Sequence, residues 1–361
     1  MHMKKKVLVV DDSALMRRVL CDIINSDDGF EVTGRAINGL EALELVKKTT
    51  YDVIVLDVNM PKMNGLQFLS ELKKANLPQR VMMASTDTME GAQTTMDALE
   101  LGALDFVHKP DQANACREDD FTRPFMQTLR GVASSRMPVF EDKAKERVKK
   151  EKSDQFINLL SKSAGKITGS KIVAIASSTG GPKALASVIP LLPANLDAPV
   201  VLVQHMPKGF TATLAQRLNS TSKIAVCEAA EGQVLEKGHV YISAGGMHMN
   251  VKAQGAGKYV IHYSDEPARE GVKPCANYMY ESLIDSKFDH IVCCVLTGMG
   301  ADGTEGIKNL KAKRNAFVIS QDEASSTIYG MPRAVYTAGL SDQVVALDKV
   351  AEEISMRIGL S

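Results

Sequence analysis

No run of about 18 apolar residues occurs anywhere in the 361-residue sequence, so a helical membrane span is not expected. Met1–Lys6 is basic, but the apolar stretch behind it, Val7–Val10, is too short for the hydrophobic part of a secretion signal. A cytoplasmic protein without direct membrane insertion is therefore expected. Cysteine is sparse and unpatterned: Cys21, Cys116, Cys227, Cys275, Cys293 and Cys294 stand at no C-x-x-C spacing, and a reducing compartment is the natural inference. Cys293 and Cys294 sit inside an apolar run, where they behave as small hydrophobes. Net charge is absent too, with 43 basic residues against 43 acidic ones. By segment the balance is 16 against 20 over 1–133, 9 against 5 over 134–168 and 18 against 18 over 169–361, so neither long segment has the basic excess of a nucleic-acid binder.

What is present is ordinary for a globular protein, at 45% apolar and 24% charged, and the length calls for two domains. Residues 1–133 and 169–361 form the expected domains. Between them, 134–168 has no clear apolar period and is rich in Ser and charge, which predicts a tether whose basic run Lys143–Lys152 is a solvated face.

The first segment alternates regularly. Strands are expected at Val7–Val10, Glu31–Ala36, Val53–Leu56, Arg80–Ala84 and Asp105–Val107, and helices at Ala14–Asn25, Gly39–Thr49, Gly65–Ala75, Glu90–Leu101 and Phe121–Val132. Five βα units predict a parallel sheet covered on both faces. Asp11 and Asp12 then follow the first strand, Asp57 the third, Ser85 the fourth and Lys109 the fifth, all on one rim. Three carboxylates held together repel unless a cation joins them, and Mg²⁺ takes oxygen ligands of this kind. With the ion and Lys109 screening charge, one carboxylate can attack a phosphoryl group. Acidic residues at strand ends also cap helices, but that leaves Ser85 and Lys109 without a reason. Through VLVVDDSALMRR at 7–18, DVIVLDVNMPKMNG at 52–65 and LGALDFVHKP at 101–110, this segment resembles a response-regulator receiver domain of flavodoxin-like fold. The resemblance implies that Asp57 accepts a phosphoryl group from a histidine kinase and that Asp11 and Asp12 hold Mg²⁺ with it. It further implies Ser85 as the switch hydroxyl, open to a shift of one place either way, and Lys109 as the phosphoryl contact before a cis Pro110.

In the second segment three apolar runs, Ile172–Ala176, Val200–Val203 and Ile291–Leu296, each empty into a loop with one polar group: Ser178, His205 and Asp302. Short β-branched runs read as buried parallel strands, whose carboxyl ends gather reacting groups. A serine, a histidine and a carboxylate on one rim suggest nucleophilic acyl transfer. Ser178 opens Ser-Thr-Gly-Gly-Pro, a tight strand-to-helix turn whose free amides near Thr179, with the separate backbone at Met299, are oxyanion candidates. A serine before Gly-Gly is also a common helix cap or phosphate-loop residue. His248 competes with His205. Gly298-Met299-Gly300-Ala301-Asp302-Gly303, with Asp322 about 20 residues on, also fits a dinucleotide-binding fingerprint, although Asp302 would bring a carboxylate to the pyrophosphate.

The second segment resembles the chemotaxis protein-glutamate methylesterases through IASSTGGPKAL at 175–185, VVLVQHMPKGFTATLAQRLN at 200–219, GHVYISAGGMHM at 238–249, VLTGMGADGTEG at 295–306 and SQDEASSTIYGMPRAV at 320–335. The implied fold is two doubly wound parallel-sheet α/β domains, the larger one C-terminal. The implied triad is Ser178 as nucleophile, His205 as base and Asp302 as its orienting carboxylate, with no cofactor for ester hydrolysis. The implied partners are methylated chemoreceptor cytoplasmic domains and a chemotaxis histidine kinase. Receptor glutamines are implied as further substrates. Three departures from the family stand out: Ser177 where Ala is usual, which gives two adjacent hydroxyls, Val272–Asn277 in place of His-Arg-Pro-Ser-Val-Asp, and Asn59 in place of a common glutamate. A dinucleotide-binding or purely docking protein under receiver control is the rival expectation.

Overall fold

The computed structural model describes residues 3–85, 89–110, 112, 115–138, 167–255 and 257–361. Most of the expected tether, 139–166, lies outside them. The chain divides into two units, Met1–Phe140 and Glu141–Ser361, each built on a sheet of its own.

In the first unit β1 (Lys5–Val10), β2 (Phe30–Ala36), β3 (Val53–Asp57), β4 (Val81–Ser85) and β5 (Asp105–His108) alternate with α1 (Ala14–Asn25), α2 (Gly39–Lys48), α3 (Gly65–Lys74), α4 (Met89–Leu101) and α5 (Asp119–Ser134). The strands pair in parallel in the order β2-β1-β3-β4-β5. β3 and β4 are buried along their whole length, which is why they read as continuous apolar runs. Caps fix where the rim loops end. The Ser13 hydroxyl accepts the Met16 N–H ahead of α1, and Asn64 and Gln67 cap α3 reciprocally. A Cβ on Gly65 would stand 2.5 Å from the Asp57 carbonyl oxygen, so only glycine lets α3 begin this close to the end of β3. The chain goes from β1 to β2 on one side and to β3 on the other, and Asp11, Asp12 and Asp57 stand at that reversal.

The second unit contains β6 (Lys171–Ser177), β7 (Val200–Gln204), β8 (Ala225–Glu228), β9 (His239–Ile242), β10 (His248–Gly255), β11 (Lys258–Ser264), β12 (His290–Val295), β13 (Ala316–Gln321) and β14 (Gln343–Val345). Its helices are α6 (Gly181–Val188), α7 (Phe210–Thr221), α8 (Ala276–Ser282), α9 (Thr304–Lys311), α10 (Met331–Thr337) and α11 (Val350–Ile358). Seven strands form a parallel sheet, β14-β13-β12-β6-β7-β9-β8. From the central β6 the chain moves to β7 on one side and returns to β12 on the other, so the carboxyl ends of these three strands open onto one crevice.

The doubly wound parallel architecture is as expected, with two differences. β10 and β11 form an antiparallel hairpin beside the sheet. Its Met249, Val251, Tyr259 and Ile261 are buried in the core of this unit, and the Tyr259 ring stacks on Phe288 at 4.1 Å between centroids. The bond before Pro110 is not cis. The β4–β5 ladder continues through the Lys109 N–H to the Ser85 carbonyl at 2.7 Å, and the Lys109 side chain reaches its partners with a trans bond following; the cis bond among the described residues is Lys273–Pro274. No helix among the described residues is long and apolar enough to cross a membrane.

Candidate active site

The pleat at the end of β6 gives its two serines different surroundings. Ser177 is fully buried, and its hydroxyl donates to Gln204 Oε1 at 2.7 Å. Ser178 is half-buried at the rim, and among the described residues its hydroxyl has no hydrogen-bond partner. The turn that presents it is tight: Gly180 has φ 76°, and a Cβ there would lie 2.5 Å from the Thr327 Cβ. Thr297 ties the turn down, its carbonyl accepting the Ser178 N–H at 3.0 Å and its hydroxyl donating to the Thr179 carbonyl at 3.0 Å. A Cβ on Gly298 would come within 2.7 Å of the Ser178 Cβ, so the β12–α9 loop closes directly over the serine.

His205 follows β7, and its N–H donates to the Ser177 carbonyl at 3.1 Å. Its ring Nε2 meets Asp302 Oδ2 at 2.7 Å. Asp302 is 2% exposed, and besides the imidazole it accepts the Cys275 thiol at 3.0 Å and the backbone N–H groups of Ala276 at 2.6 Å and Asn277 at 3.0 Å. Those groups open α8, whose own N-cap residue makes no side-chain cap, so Asp302 takes the position of a cap from another loop. Burial pushes the Asp302 carboxyl up, but the His205 bond and charge, with the Cys275 and Ala276 bonds, hold it net below its usual 3.8. Burial and the neighbouring Asp302 carboxylate raise the Cys275 thiol and keep it protonated.

Asn277, buried and flagged as a departure, anchors the same loop. Its Oδ1 accepts Gly303 N–H at 3.1 Å and Gly306 N–H at 2.7 Å, while its Nδ2 donates to Glu270 Oε1 at 2.8 Å. The glycine loop is tied to its neighbours, Gly330 and Met331 donating to the Gly298 carbonyl at 3.1 and 2.8 Å, and the carboxylate it carries, Asp302, is turned onto the start of α8. His248 is a core residue, fully buried against the edge of the Tyr278 ring, and burial lowers its pKa. Thr179 and Met299, the oxyanion candidates, flank Ser178, and neither donates its N–H to a protein acceptor among the described residues.

On the rim of the first unit, oxygens of Asp11, Asp12 and Asp57 lie within 4.8 Å of one another. Lys109 Nζ stands 2.9 Å from Asp11 Oδ2 and 2.8 Å from Asp57 Oδ1, with Asp11 and Asp57 buried. Burial raises the Asp57 carboxyl above its usual value, assisted by Asp11 and opposed by Lys109. Burial opposes the charge on Lys109 as well, but Asp57 and Asp11 prevail and raise its pKa. One ammonium among three carboxylates leaves an excess of negative charge, a donor set that suits a hard divalent cation. Ser85 ends β4, buried, with its hydroxyl 3.4 Å from the Gly91 carbonyl oxygen.

Sheet order and acidic rim define the first unit as a receiver domain, and this receiver is joined to an α/β domain with a serine at its strand-order reversal. The receiver-domain family model matches residues 7–118, and the CheB methylesterase family model matches 173–354. The chain belongs to the CheB methylesterase family. It is 42% identical over 351 residues to a protein-glutamate methylesterase/protein-glutamine glutaminase of Pyrococcus abyssi, covering 97% of this chain and 93% of that protein. It is 40% identical to the protein of the same name from Geobacillus kaustophilus, covering 98% and 99%. Among solved structures, the CheB methylesterase catalytic domain of Thermotoga maritima superimposes with a TM-score of 0.50 at 39% identity, over 52% of this chain and 98% of that one.

Two supporting residues, Gln204 and Thr297, and the capping role of Asn277 are not apparent from the sequence. Gln204 and Thr297 are polar residues at the ends of apolar strand runs beside His205 and the glycine loop, and that placement is the signal that was there to find.

Proposed function

We propose that the chain is a phosphorylation-controlled serine esterase that hydrolyses glutamate methyl esters on chemoreceptor cytoplasmic domains to glutamate and methanol, and deamidates receptor glutamines at the same site. The observation that carries this is the contrast at the end of β6: Ser177 is buried and bonded to Gln204, whereas Ser178 is open at the rim where β7 and β12 deliver His205 and its Asp302.

Ser178 Oγ attacks the ester carbonyl. With Nε2 donating to Asp302, His205 keeps Nδ1 as the base that takes the serine proton, and Asp302 stabilises the imidazolium. The Ser178 hydroxyl and the ring are not yet bonded, as is common before substrate closes a site. The Thr179 and Met299 amides receive the developing oxyanion. His205 then protonates the leaving methanol, or ammonia from a glutamine, and activates the water that frees the glutamate. No cofactor enters these steps.

In the receiver, Asp57 Oδ attacks the phosphoryl group of a phosphohistidine on a chemotaxis kinase, and Lys109 holds the transferred oxygens. Asp11, Asp12 and Asp57 would hold Mg²⁺, which would neutralise phosphoryl charge there. Ser85 reports the modification, and an unphosphorylated receiver restrains the esterase. The test is methanol release from methylated receptor membranes with and without acetyl phosphate, together with fluorophosphonate labelling of Ser178. Absence of both release and labelling would leave only a docking protein.

A further inference from the structure

The side chain of Gln204 is 2% exposed at the end of β7, and every polar atom of its carboxamide is engaged. Nε2 donates to the Ser178 carbonyl at 3.0 Å and to the His205 carbonyl at 3.1 Å, while Oε1 accepts the Ser177 hydroxyl. Two carbonyls demand the NH₂ group, so the orientation of the amide is fixed by chemistry. There is no slack around it: a Cβ on Gly181 would fall 1.9 Å from Oε1.

The Ser178 carbonyl and the Thr179 N–H belong to one planar trans peptide unit and point in opposite directions. Whatever holds that carbonyl therefore aims that N–H. The carbonyl accepts from two donors, the Gly181 N–H at 2.7 Å and Gln204 Nε2. We infer that Gln204 is a positioning residue: through the Ser178–Thr179 peptide it directs the Thr179 amide at the oxyanion, and through the His205 carbonyl it keeps the base loop in register with the nucleophile turn. This inference rests on the esterase reading above.

The test compares full-length protein with Gln204→Met, which keeps the length and removes both donors, and with the double variant Gln204→Met/Ser177→Ala, which also removes the hydroxyl left unpaired. Each is assayed with acetyl phosphate and Mg²⁺ on receptor membranes carrying labelled methyl esters. A misdirected oxyanion donor lowers kcat by about 10²-fold, with KM held within about twofold. Fluorophosphonate labelling of Ser178 slows in parallel, because it uses the same donors. The double variant, though less stable for the carbonyl bonds it loses, remains folded at the assay temperature by its thermal unfolding curve, so the loss is not one of folding. A folded double variant with wild-type kcat, or one whose loss lies in KM, overturns the inference while leaving the esterase reading intact. A wild-type protein that neither releases methanol nor takes the label overturns both.

Discussion

Ser177 and Ser178 are neighbours in sequence, and one step of the pleat separates a buried, bonded hydroxyl from one open at the rim. Ser178→Ala and His205→Ala are each expected to lower methanol release by several orders of magnitude, as losses of triad members do. Ser177→Ala is expected to retain most activity, and equal loss in the two serine variants would reassign the nucleophile. Asp302 leaves a second mark, on stability. Its folded pKa lies below the unfolded 3.8, so its contribution is complete above that pH and disappears as the pH falls through the folded value. At pH 7 Asp302→Asn should lower unfolding stability in urea by about 1.5–3 kcal/mol, the scale of hydrogen bonds to a charged group. The gap between the two proteins should shrink as pH drops below about 4; a gap that is constant with pH would mean the carboxylate is not ionised where it sits. Ser178, His205 and Asp302 were legible because each ends an apolar run. The direction of a side chain was not, and so Gln204 passed unnoticed although it touches the carbonyls of two of the three.

The strand-end loops do little alone; what orders the β12–α9 loop is the start of α8. Asn277 holds the last N–H of that loop, on Gly303, and the Gly306 N–H in the first turn of α9 through one oxygen. Removing it leaves two buried donors unpaired, so Asn277→Ala should cost about 2–4 kcal/mol. Activity should fall with it even below the melting temperature, because Asp302 is carried on the loop that Asn277 pins; full activity in a destabilised variant would separate the two roles. At this scale the parallel strands were readable because burial on both faces writes a continuous apolar run. The β10–β11 hairpin was not, because β10 keeps only its first half in the core and its exposed end blurs the alternation.

Both units gather their candidate groups where the strand order reverses, and each has an apolar core of its own, around β1–β3 in one and β6–β12 in the other. A fragment of about 165–361 is therefore expected to fold alone, with one cooperative unfolding transition. It should hydrolyse receptor esters faster than the unphosphorylated whole, by the 5- to 150-fold that a coupling of about 1–3 kcal/mol gives. In full-length protein, Asp57→Asn should abolish the response to acetyl phosphate. A folded fragment no faster than the unphosphorylated whole would replace restraint with positive activation. Two domains and their order could be read from length and repeated alternation, but no pattern in the chain states how one answers the other.

The cysteines carry a consequence for how such experiments behave. Five of the six are buried, and Cys275, the one beside the candidate site, spends its proton on Asp302. Alkylation and oxidation proceed through the thiolate, which burial suppresses at Cys275, Cys293 and Cys294. The half-buried Cys227 lies on the edge strand β8, and its thiol is raised as well. Thiol chemistry is thereby set apart from the Ser178 rim: alkylation of Cys275 is expected to be slow, and a serine-directed reagent is expected to be read on this protein against little thiol background.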